Sequence, residues 1–240
     1  MKIHTILSPQ LFSLFEKEVE GKQVLIIDIL RATTSMVVML ENGAKSVRPV
    51  AGVDEAMRLK EANPLWLIAG ERNGYKVEGF EFGNSPQEFT SDRVKGETLV
   101  ITTTNGTQAL SLSLAASEIW VGGFLNMAAL VESIFATGKD VFLFCAGWKG
   151  HVNLEDTLFA GAVARQLVDR GWAVADDASR AAMSLWASAE GDLHGFLSEA
   201  SHVQRFQSMH AESDLDVCLK CNTSNKAVRY ENGVLVAIPS

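Results

Sequence analysis

The 240-residue chain has few cysteines, and their number argues against one class of fold. There are three, Cys145, Cys218 and Cys221, and an odd count in a chain without a secretion signal does not suit a disulfide framework. The Cys218-Leu-Lys-Cys221 spacing would suit half of a zinc or redox site, but the sequence offers no second pair or nearby histidines to complete it. We therefore expect ordinary thiols on or beside a strand.

The sequence also lacks a long hydrophobic run, a basic cluster and a secretion signal. Apolar runs such as VLIIDIL at 24–30 are far shorter than the roughly 18 residues that span a bilayer. The formal net charge is −8 and no basic run occurs, which argues against a nucleic-acid partner. The opening residues MKIHTILSPQ have no signal-peptide core or cleavage site. We expect a cytoplasmic protein that binds neither membranes nor nucleic acid.

Short apolar runs alternate with helical patterns along nearly the whole chain, which is typical of α/β proteins. No repeat, low-complexity tract or flexible linker interrupts the pattern, so one compact unit over residues 1–240 is favoured over two tightly packed halves. Strands are predicted at 24–30, 46–50, 65–70, 98–104, 119–123 and 141–147, with a closing hairpin of 226–230 and 234–238. Helices are predicted after residues 33–34 and at 55–62, 108–116, 126–137, 154–170 and throughout 176–210.

Several of these helices have a recognisable start signal. Thr33 or Thr34 is expected to cap the helix after the first buried strand, and Asp54 and Asn153 are expected to cap two later ones. The sequence Ser-Pro-Gln-Glu at 85–88 has the form of a capping box, with a serine cap and a glutamate at the third helical position. The five tryptophans are expected in the core or at a subunit interface, which leaves room for a homodimer.

Polar residues follow the predicted strands at four junctions, and this coincidence indicates a binding site. In open α/β sheets, ligands bind beyond the carboxyl ends of strands, at the loops that lead into helices. The four junctions are 28–35, 69–72, 102–107 and 145–147, the last of which precedes the acid pair at 155–156. We expect these segments to converge on one site.

Two of the junctions favour anion binding. The sequence TTTNGT at 102–107 combines hydroxyl groups with a glycine turn and a helix start, which suits an anion cradle, although a simple helix cap is the plainer interpretation. It has neither the lysine nor the spacing of a P-loop, so an NTPase is disfavoured. Arg31 and Arg72 each follow a carboxylate, Asp28 and Glu71. They could grip an anionic substrate or form internal ion pairs, and their position at strand ends favours the substrate.

The acids Asp28, Glu155 and Asp156 suggest a magnesium site. Mg²⁺ takes one or two protein carboxylates and fills its remaining positions with water and substrate oxygens. Acids at a helix start are also favoured by the helix dipole alone, which is the competing interpretation. Adjacent helical residues point about 100° apart, so we expect one of the pair to bind the ion directly and the other to act through water. His202 is a further candidate that the helical region could bring to the site.

The quoted junctions, taken in order, resemble the 2-phosphosulfolactate phosphatase family. The shared blocks run from about residue 24 to 221 and read IDILRATTS, AGERNGYKVEGFEFGNSP, TTTNGTQAL, FLN, CAGWKGHVNLEDTLFAGA and DLDVCLKC. The resemblance implies an α/β/α fold. We expect three layers, built around a mixed, mostly parallel sheet. It also implies a Mg²⁺-dependent phosphatase that converts (R)-2-phospho-3-sulfolactate to sulfolactate, a step toward coenzyme M.

Position by position, the resemblance and the junction analysis together assign the site residues. Catalysis is expected from Asp28, Arg31, Glu155 and Asp156, and metal binding from Asp28, Glu155 and Asp156. Substrate binding is expected from Thr33, Thr34, Glu71, Arg72, Asn84, Ser85, Thr104, Asn105, Gly106, Thr107 and Asn126. A phosphatase for another small phosphorylated hydroxy acid, or a non-catalytic binding protein for anionic metabolites, are the alternatives.

Overall fold

Strands and helices alternate along the chain as the sequence predicts. The structure, a computed structural model, describes residues 1–209 and 211–239. Its strands are β1 (Lys2–Ile6), β2 (Gln23–Ile27), β3 (Ser46–Pro49), β4 (Leu67–Arg72), β5 (Tyr75–Lys76), β6 (Thr98–Thr102), β7 (Glu118–Gly122), β8 (Val141–Cys145), β9 (Ala173–Val174), β10 (Lys226–Glu231) and β11 (Val234–Pro239). Its α-helices are α1 (Ala32–Glu41), α2 (Val53–Ala62), α3 (Ser91–Val94), α4 (Gly106–Leu112), α5 (Met127–Thr137), α6 (Leu154–Asp169), α7 (Asp177–Ala189), α8 (Leu193–Leu197), α9 (Ser201–Ser208) and α10 (Ser213–Cys218).

The strands form one mixed, mostly parallel sheet, as predicted. Their order is β5-β4-β6-β3-β11-β10-β7-β2-β8-β1-β9. The strands β4, β6 and β3 form one parallel block, and β7, β2, β8, β1 and β9 form a second. The hairpin β10–β11 lies between the blocks and is antiparallel to its neighbour on each side. The chain's last two strands therefore join the two blocks.

Helices cover both faces of the sheet because the central strands are apolar on both faces. Along β2, Val24 and Ile26 belong to one core cluster together with residues of α1 and α4. Leu25 and Ile27, which point the other way, belong to a second cluster with α5 and α6. All four side chains are almost completely buried. This arrangement confirms the three-layer α/β/α prediction.

The predicted cap of the first helix is wrong, and the reason concerns the site. Helix α1 begins at Ala32 with Arg31 as its cap residue, and neither Thr33 nor Thr34 caps it. The Thr33 hydroxyl instead lies 2.9 Å from the carbonyl oxygen of Asp28 and accepts a bond from the N–H of Asp28 at 3.0 Å. The Thr34 hydroxyl donates to the Ile29 carbonyl at 3.0 Å. These hydroxyls stabilise the turn after β2 rather than the helix start.

Three further cap predictions also need correction. Helix α2 is capped by Gly52, so Asp54 lies inside its first turn. No capping box forms at 85–88, where the Ser85 side chain makes no cap bond and the Glu88 carboxylate accepts from the N–H of Gly83 at 3.0 Å. Asn153 does precede α6, but its side chain makes no cap bond. The predicted helical region 176–210 is divided into α7, α8 and α9, and its last residue, His210, lies outside the described residues.

No helix among the described residues combines the length and apolar character needed to cross a bilayer. The three cysteines are free thiols, two buried and one exposed.

Candidate active site

An open cavity of about 470 Å³ lies where the chain leaves β2, β4, β6 and β8. Helix α9 and the residues after it form the opposite wall. Its lining residues are Asp28, Leu30, Arg31, Glu71, Gly74, Asn84, Thr103, Thr104, Asn105, Trp148, His202, Arg205, Phe206, Met209 and Ala211.

Asp28 lies immediately after β2, with its carboxylate at the cavity wall. Among the described residues, the backbone gives this carboxylate a single long hydrogen bond, 3.3 Å from the N–H of Ala32. Burial raises the pKa of Asp28 from 3.8 to about 6, and repulsion from Glu71 and Glu155 adds to the rise while His202 opposes it. The negative charge of Asp28 is thus poorly compensated where the residue lines the cavity.

Asp156 lies in the first turn of α6 and connects two strand ends. Its carboxylate oxygens accept from the N–H of Ile29 at 2.9 Å and from the N–H of Gly147 at 3.0 Å. Burial raises its pKa well above the ordinary range, and the charges of Glu155 and Asp28 raise it further. Both oxygens are therefore engaged by the backbone, and Asp156 fixes the turns after β2 and β8 relative to each other.

Glu155, the neighbour of Asp156, is completely buried and faces His202. One of its oxygens, Oε1, lies 2.6 Å from His202 Nδ1. Its other oxygen, Oε2, has no hydrogen-bond partner among the described residues. Burying a carboxylate oxygen without a hydrogen-bond donor costs free energy. A bound cation, or a donor from a bound molecule, would offset that cost at Oε2.

The acids fit a magnesium ion held by few protein ligands. Among residues 1–209 and 211–239, no group of three or more histidine, cysteine, aspartate or glutamate side chains could hold a metal ion. Mg²⁺ can bind to only one or two protein carboxylates, because water and substrate oxygens complete its coordination. Asp28 and the unpartnered oxygen of Glu155 fit that role, whereas Asp156 is occupied by backbone donors.

Glu71 holds two loops of the cavity together. Its carboxylate accepts from the N–H of Gly74 at 2.7 Å and from the N–H of Thr104 at 2.8 Å. The first bond fixes the turn between β4 and β5, and the second fixes the segment after β6. At the start of α4, a Cβ added to Gly106 would lie 3.1 Å from Asp28 Oδ2 and 2.8 Å from the Ala32 side chain. A glycine is therefore required for α4 to approach the acid this closely.

Arg31 lines the cavity and forms an ion pair with Asp214 of α10, not with Asp28. Both side chains are buried. The second oxygen of Asp214 accepts from the Ser85 hydroxyl at 2.6 Å and from the Gln87 amide at 3.0 Å. Arg31 also donates to the Gly74 carbonyl at 3.3 Å. These bonds fix its guanidinium at the cavity wall.

The structure brings only part of the predicted set to the cavity. Asp28, Arg31, Glu71, Asn84, Thr104 and Asn105 line it, and Glu155 is linked to it through His202. Arg72 does not line the cavity, because its guanidinium donates to the Thr102 hydroxyl at 3.0 Å and to the Glu71 carbonyl at 2.6 Å. The remaining predicted residues make structural hydrogen bonds or support the loops from behind: Thr33, Thr34, Ser85, Gly106, Thr107, Asn126 and Asp156.

Sequence reasoning missed most of the wall that α9 contributes. Arg205 and Phe206 follow His202 by three and four residues, so each lies beside His202 on the helix surface. Trp148 faces them, with its ring stacked on that of His202 and 4.2 Å from the Arg205 guanidinium carbon. The spacing itself was visible in the sequence, but nothing in the sequence indicated that this face turns toward Asp28.

The chain resembles known proteins over nearly its whole length. The family model described as 2-phosphosulpholactate phosphatase matches residues 10–233. A protein named "Probable 2-phosphosulfolactate phosphatase" from Clostridium acetobutylicum is 37% identical over 238 residues, covering 98% of this chain and 100% of its own. Similarly named proteins from Caldanaerobacter subterraneus subsp. tengcongensis and Thermotoga petrophila are 36% and 38% identical, covering 93% and 91% of this chain and 93% of each of their own. The chain belongs to the 2-phosphosulfolactate phosphatase family.

Proposed function

We propose that this protein is a Mg²⁺-dependent phosphatase that hydrolyses (R)-2-phospho-3-sulfolactate to sulfolactate and inorganic phosphate, a step toward coenzyme M. The observation that carries the proposal is that acids and a fixed arginine meet at one cavity. Asp28 and Arg31 line it, and Asp214 fixes the Arg31 guanidinium. Glu155, which has an unpartnered oxygen, contacts the lining residue His202. The family match supports the reaction class.

The acids and the arginine divide the work of binding a phosphorylated acid. Asp28 and Glu155 would hold the ion, and Mg²⁺ when bound offsets the negative charge that develops on the phosphoryl oxygens. Arg31 offers N–H groups of a fixed, planar cation to an oxyanion. Asp156 and Glu71 keep the surrounding turns in place through their backbone hydrogen bonds.

We infer that a water molecule beside Asp28 attacks phosphorus, rather than the Asp28 carboxylate itself. The new bond joins the water oxygen to phosphorus, and the ester P–O bond breaks. The proton that the attacking water gives up balances the one taken by the departing alkoxide, which becomes the hydroxyl of sulfolactate. An aspartyl-phosphate route is the alternative. The segment IDILRATT lacks the second aspartate found two residues on in DxDxT phosphatase loops, which favours the direct attack of water.

A phosphate-release assay tests the proposal. Phosphosulfolactate, other phosphorylated hydroxy acids and p-nitrophenyl phosphate would be supplied with Mg²⁺ or with EDTA, to the native protein and to Asp28→Asn. We expect Mg²⁺-dependent turnover that is highest on phosphosulfolactate, and a loss of at least about a hundredfold in Asp28→Asn, since a metal-holding and water-orienting group is removed.

The matched control is Asp54→Asn, which changes an exposed acid in the first turn of α2 and should leave turnover unchanged. Higher turnover on a different phosphorylated acid would identify that compound as the substrate. Absence of phosphate release from every ester, together with binding of the same anions, would show a binding protein instead. Near-normal turnover of Asp28→Asn with saturating Mg²⁺ would refute the role given to Asp28.

A further inference from the structure

Two arginines from distant parts of the chain meet at one turn of the cavity. Arg31 donates to the carbonyl of Gly74 at 3.3 Å, and Arg205 donates to the carbonyl of Asn73 at 2.8 Å. These carbonyls are consecutive in the turn between β4 and β5, and the turn is fixed by the bond from the Gly74 N–H to Glu71. The turn therefore holds two guanidinium groups against the same cavity.

Each guanidinium is also stacked on an aromatic ring. The central carbon of Arg31 lies 5.0 Å from the centre of the Phe206 ring, and that of Arg205 lies 4.2 Å from the centre of the Trp148 ring. Stacking covers the flat faces of the two cations and directs their N–H groups along the guanidinium plane. Both rings line the cavity as well, so the two cations are built into its wall.

The charge of the two arginines is opposite to that of Asp28 and Glu155. Asp28 and Glu155 require a cation, which the proposed Mg²⁺ supplies and which draws the phosphoryl oxygens toward it. Asp214 forms an ion pair with Arg31 behind the wall, and both arginines line the cavity. Planar guanidinium groups match the oxygens of a carboxylate or sulfonate.

We propose that Arg31 and Arg205 form a second anion subsite, which binds the carboxylate or sulfonate of the substrate while its phosphoryl group lies beside Asp28. Arg205 is then a residue that determines specificity: it selects phosphate esters that carry another oxyanion a few bonds from the ester oxygen. The inference rests on the proposed phosphatase activity and adds the chemical feature by which the enzyme would choose its substrate.

The test compares Arg205→Gln with the native protein on four phosphate esters. Phosphosulfolactate carries a carboxylate and a sulfonate, 2-phospholactate only a carboxylate, 2-sulfoethyl phosphate only a sulfonate, and p-nitrophenyl phosphate neither. We expect kcat/KM to fall about 10- to 100-fold on esters whose second anion contacts Arg205, mainly through a higher KM. The fall on p-nitrophenyl phosphate should stay below about threefold. Comparison of 2-phospholactate with 2-sulfoethyl phosphate shows whether Arg205 recognises the carboxylate or the sulfonate.

Arg93→Gln is the matched control. Arg93 is stacked on Phe82 at 4.1 Å and donates to the Glu88 carbonyl at 3.0 Å, but it does not line the cavity. Its substitution should leave all four kcat/KM values unchanged. Arg205→Lys retains the charge without the planar fork and should recover part of the discrimination, which guards against a folding defect in Arg205→Gln.

An equal fall on all four esters, or no fall on any of them, would overturn the proposal. If the native protein releases phosphate from none of them, the proposed function fails, and titration with sulfolactate by calorimetry decides this inference separately. Weaker sulfolactate binding by Arg205→Gln than by Arg93→Gln would then support the subsite, and equal binding would refute it.

Discussion

Asp28 is retained at the cavity wall although the fold does little to compensate its charge. Its carboxylate accepts one long hydrogen bond from the backbone. Burial and the neighbouring acids raise its pKa to about 6. A group whose pKa is higher in the folded than in the unfolded protein stabilises the fold only at low pH, and that contribution is lost as the pH rises through the folded value. The acid is thus maintained for binding or chemistry rather than for stability.

We predict that Asp28→Asn stabilises the metal-free protein at neutral pH. In EDTA at about pH 8, the free energy of unfolding should rise by up to about 3 kcal/mol, the equivalent of about two pKa units. The gain should shrink as the pH is lowered toward 5, because Asp28 then takes up a proton in the native protein. Urea unfolding at both pH values measures it, and an unchanged or lower stability at pH 8 would contradict the prediction.

Glu81→Gln is the control of opposite sign. Burial alone would raise the pKa of Glu81, but hydrogen bonds from the Lys60 side chain and the Ile68 N–H outweigh it and lower the pKa below its usual range. The contribution of Glu81 is therefore present above its ordinary pKa and is lost as the pH falls. Since this carboxylate is about one-third exposed, the substitution should cost less than about 1 kcal/mol at pH 8.

The position of Asp28 could be predicted from sequence, but its partners could not. Seven residues of sequence, VLIIDIL, are enough to show an acid near the end of an apolar run. The glycines and hydroxyl groups at the other junctions can be recognised from equally short segments. One of the two N–H groups that bind Asp156 belongs to Ile29, 127 residues earlier in the chain, and Arg31 pairs with Asp214, 183 residues later. Such pairs depend on how elements pack, which local spacing does not encode. Arg31 and Arg72 looked equivalent in the sequence for the same reason.

Helices α9 and α10 together complete the cavity from the C-terminal part of the chain. Helix α9 supplies His202, Arg205 and Phe206 to the wall, and α10 supplies Asp214 behind it. The sequence predicted a helical region over 176–210, which includes α9, but no helix at α10. It also did not indicate that the polar side chains of His202 and Asp214 would be buried. The failed capping box shows the same effect, since the Ser85 hydroxyl bonds to Asp214 rather than to its own helix.

We predict that Asp214→Asn lowers the free energy of unfolding by about 3 kcal/mol. The change leaves the Arg31 guanidinium buried without its counter-charge, which is the costly way to break a buried ion pair. Phosphatase activity should fall as well, since Arg31 is no longer fixed. Urea unfolding and the phosphate-release assay measure the two effects.

Asp216→Asn provides the comparison on the same helix. This acid is exposed and, among the described residues, forms an ion pair with His194 at 4.0 Å, so its loss should change stability by less than about 0.5 kcal/mol. Equal effects of the two substitutions would mean that the Arg31–Asp214 pair contributes no more than a surface charge.

The order of the strands could not be predicted from the pattern of strands and helices. The strands within each block are parallel, so both blocks give the same pattern of alternating strands and helices in the sequence. The closing hairpin was predicted, but its place in the sheet was not. In the structure it is inserted between the blocks, pairing with β7 on one side and with β3 on the other. Three antiparallel pairings separate β3 from β7, so the blocks run in opposite directions at the junction. The site nevertheless takes residues from the ends of both blocks.

The hairpin should therefore couple the two blocks energetically. Leu235 of β11 is completely buried and opposite Val47 of β3 in the register. We predict that Leu235→Ala lowers the free energy of unfolding by about 3 kcal/mol, while Val236→Ala, at a half-buried position on the other face, costs less. If the chain is one cooperative unit, tryptophan fluorescence and far-ultraviolet circular dichroism should still give a single, coincident transition for Leu235→Ala. Two separated transitions would instead show two halves that unfold independently.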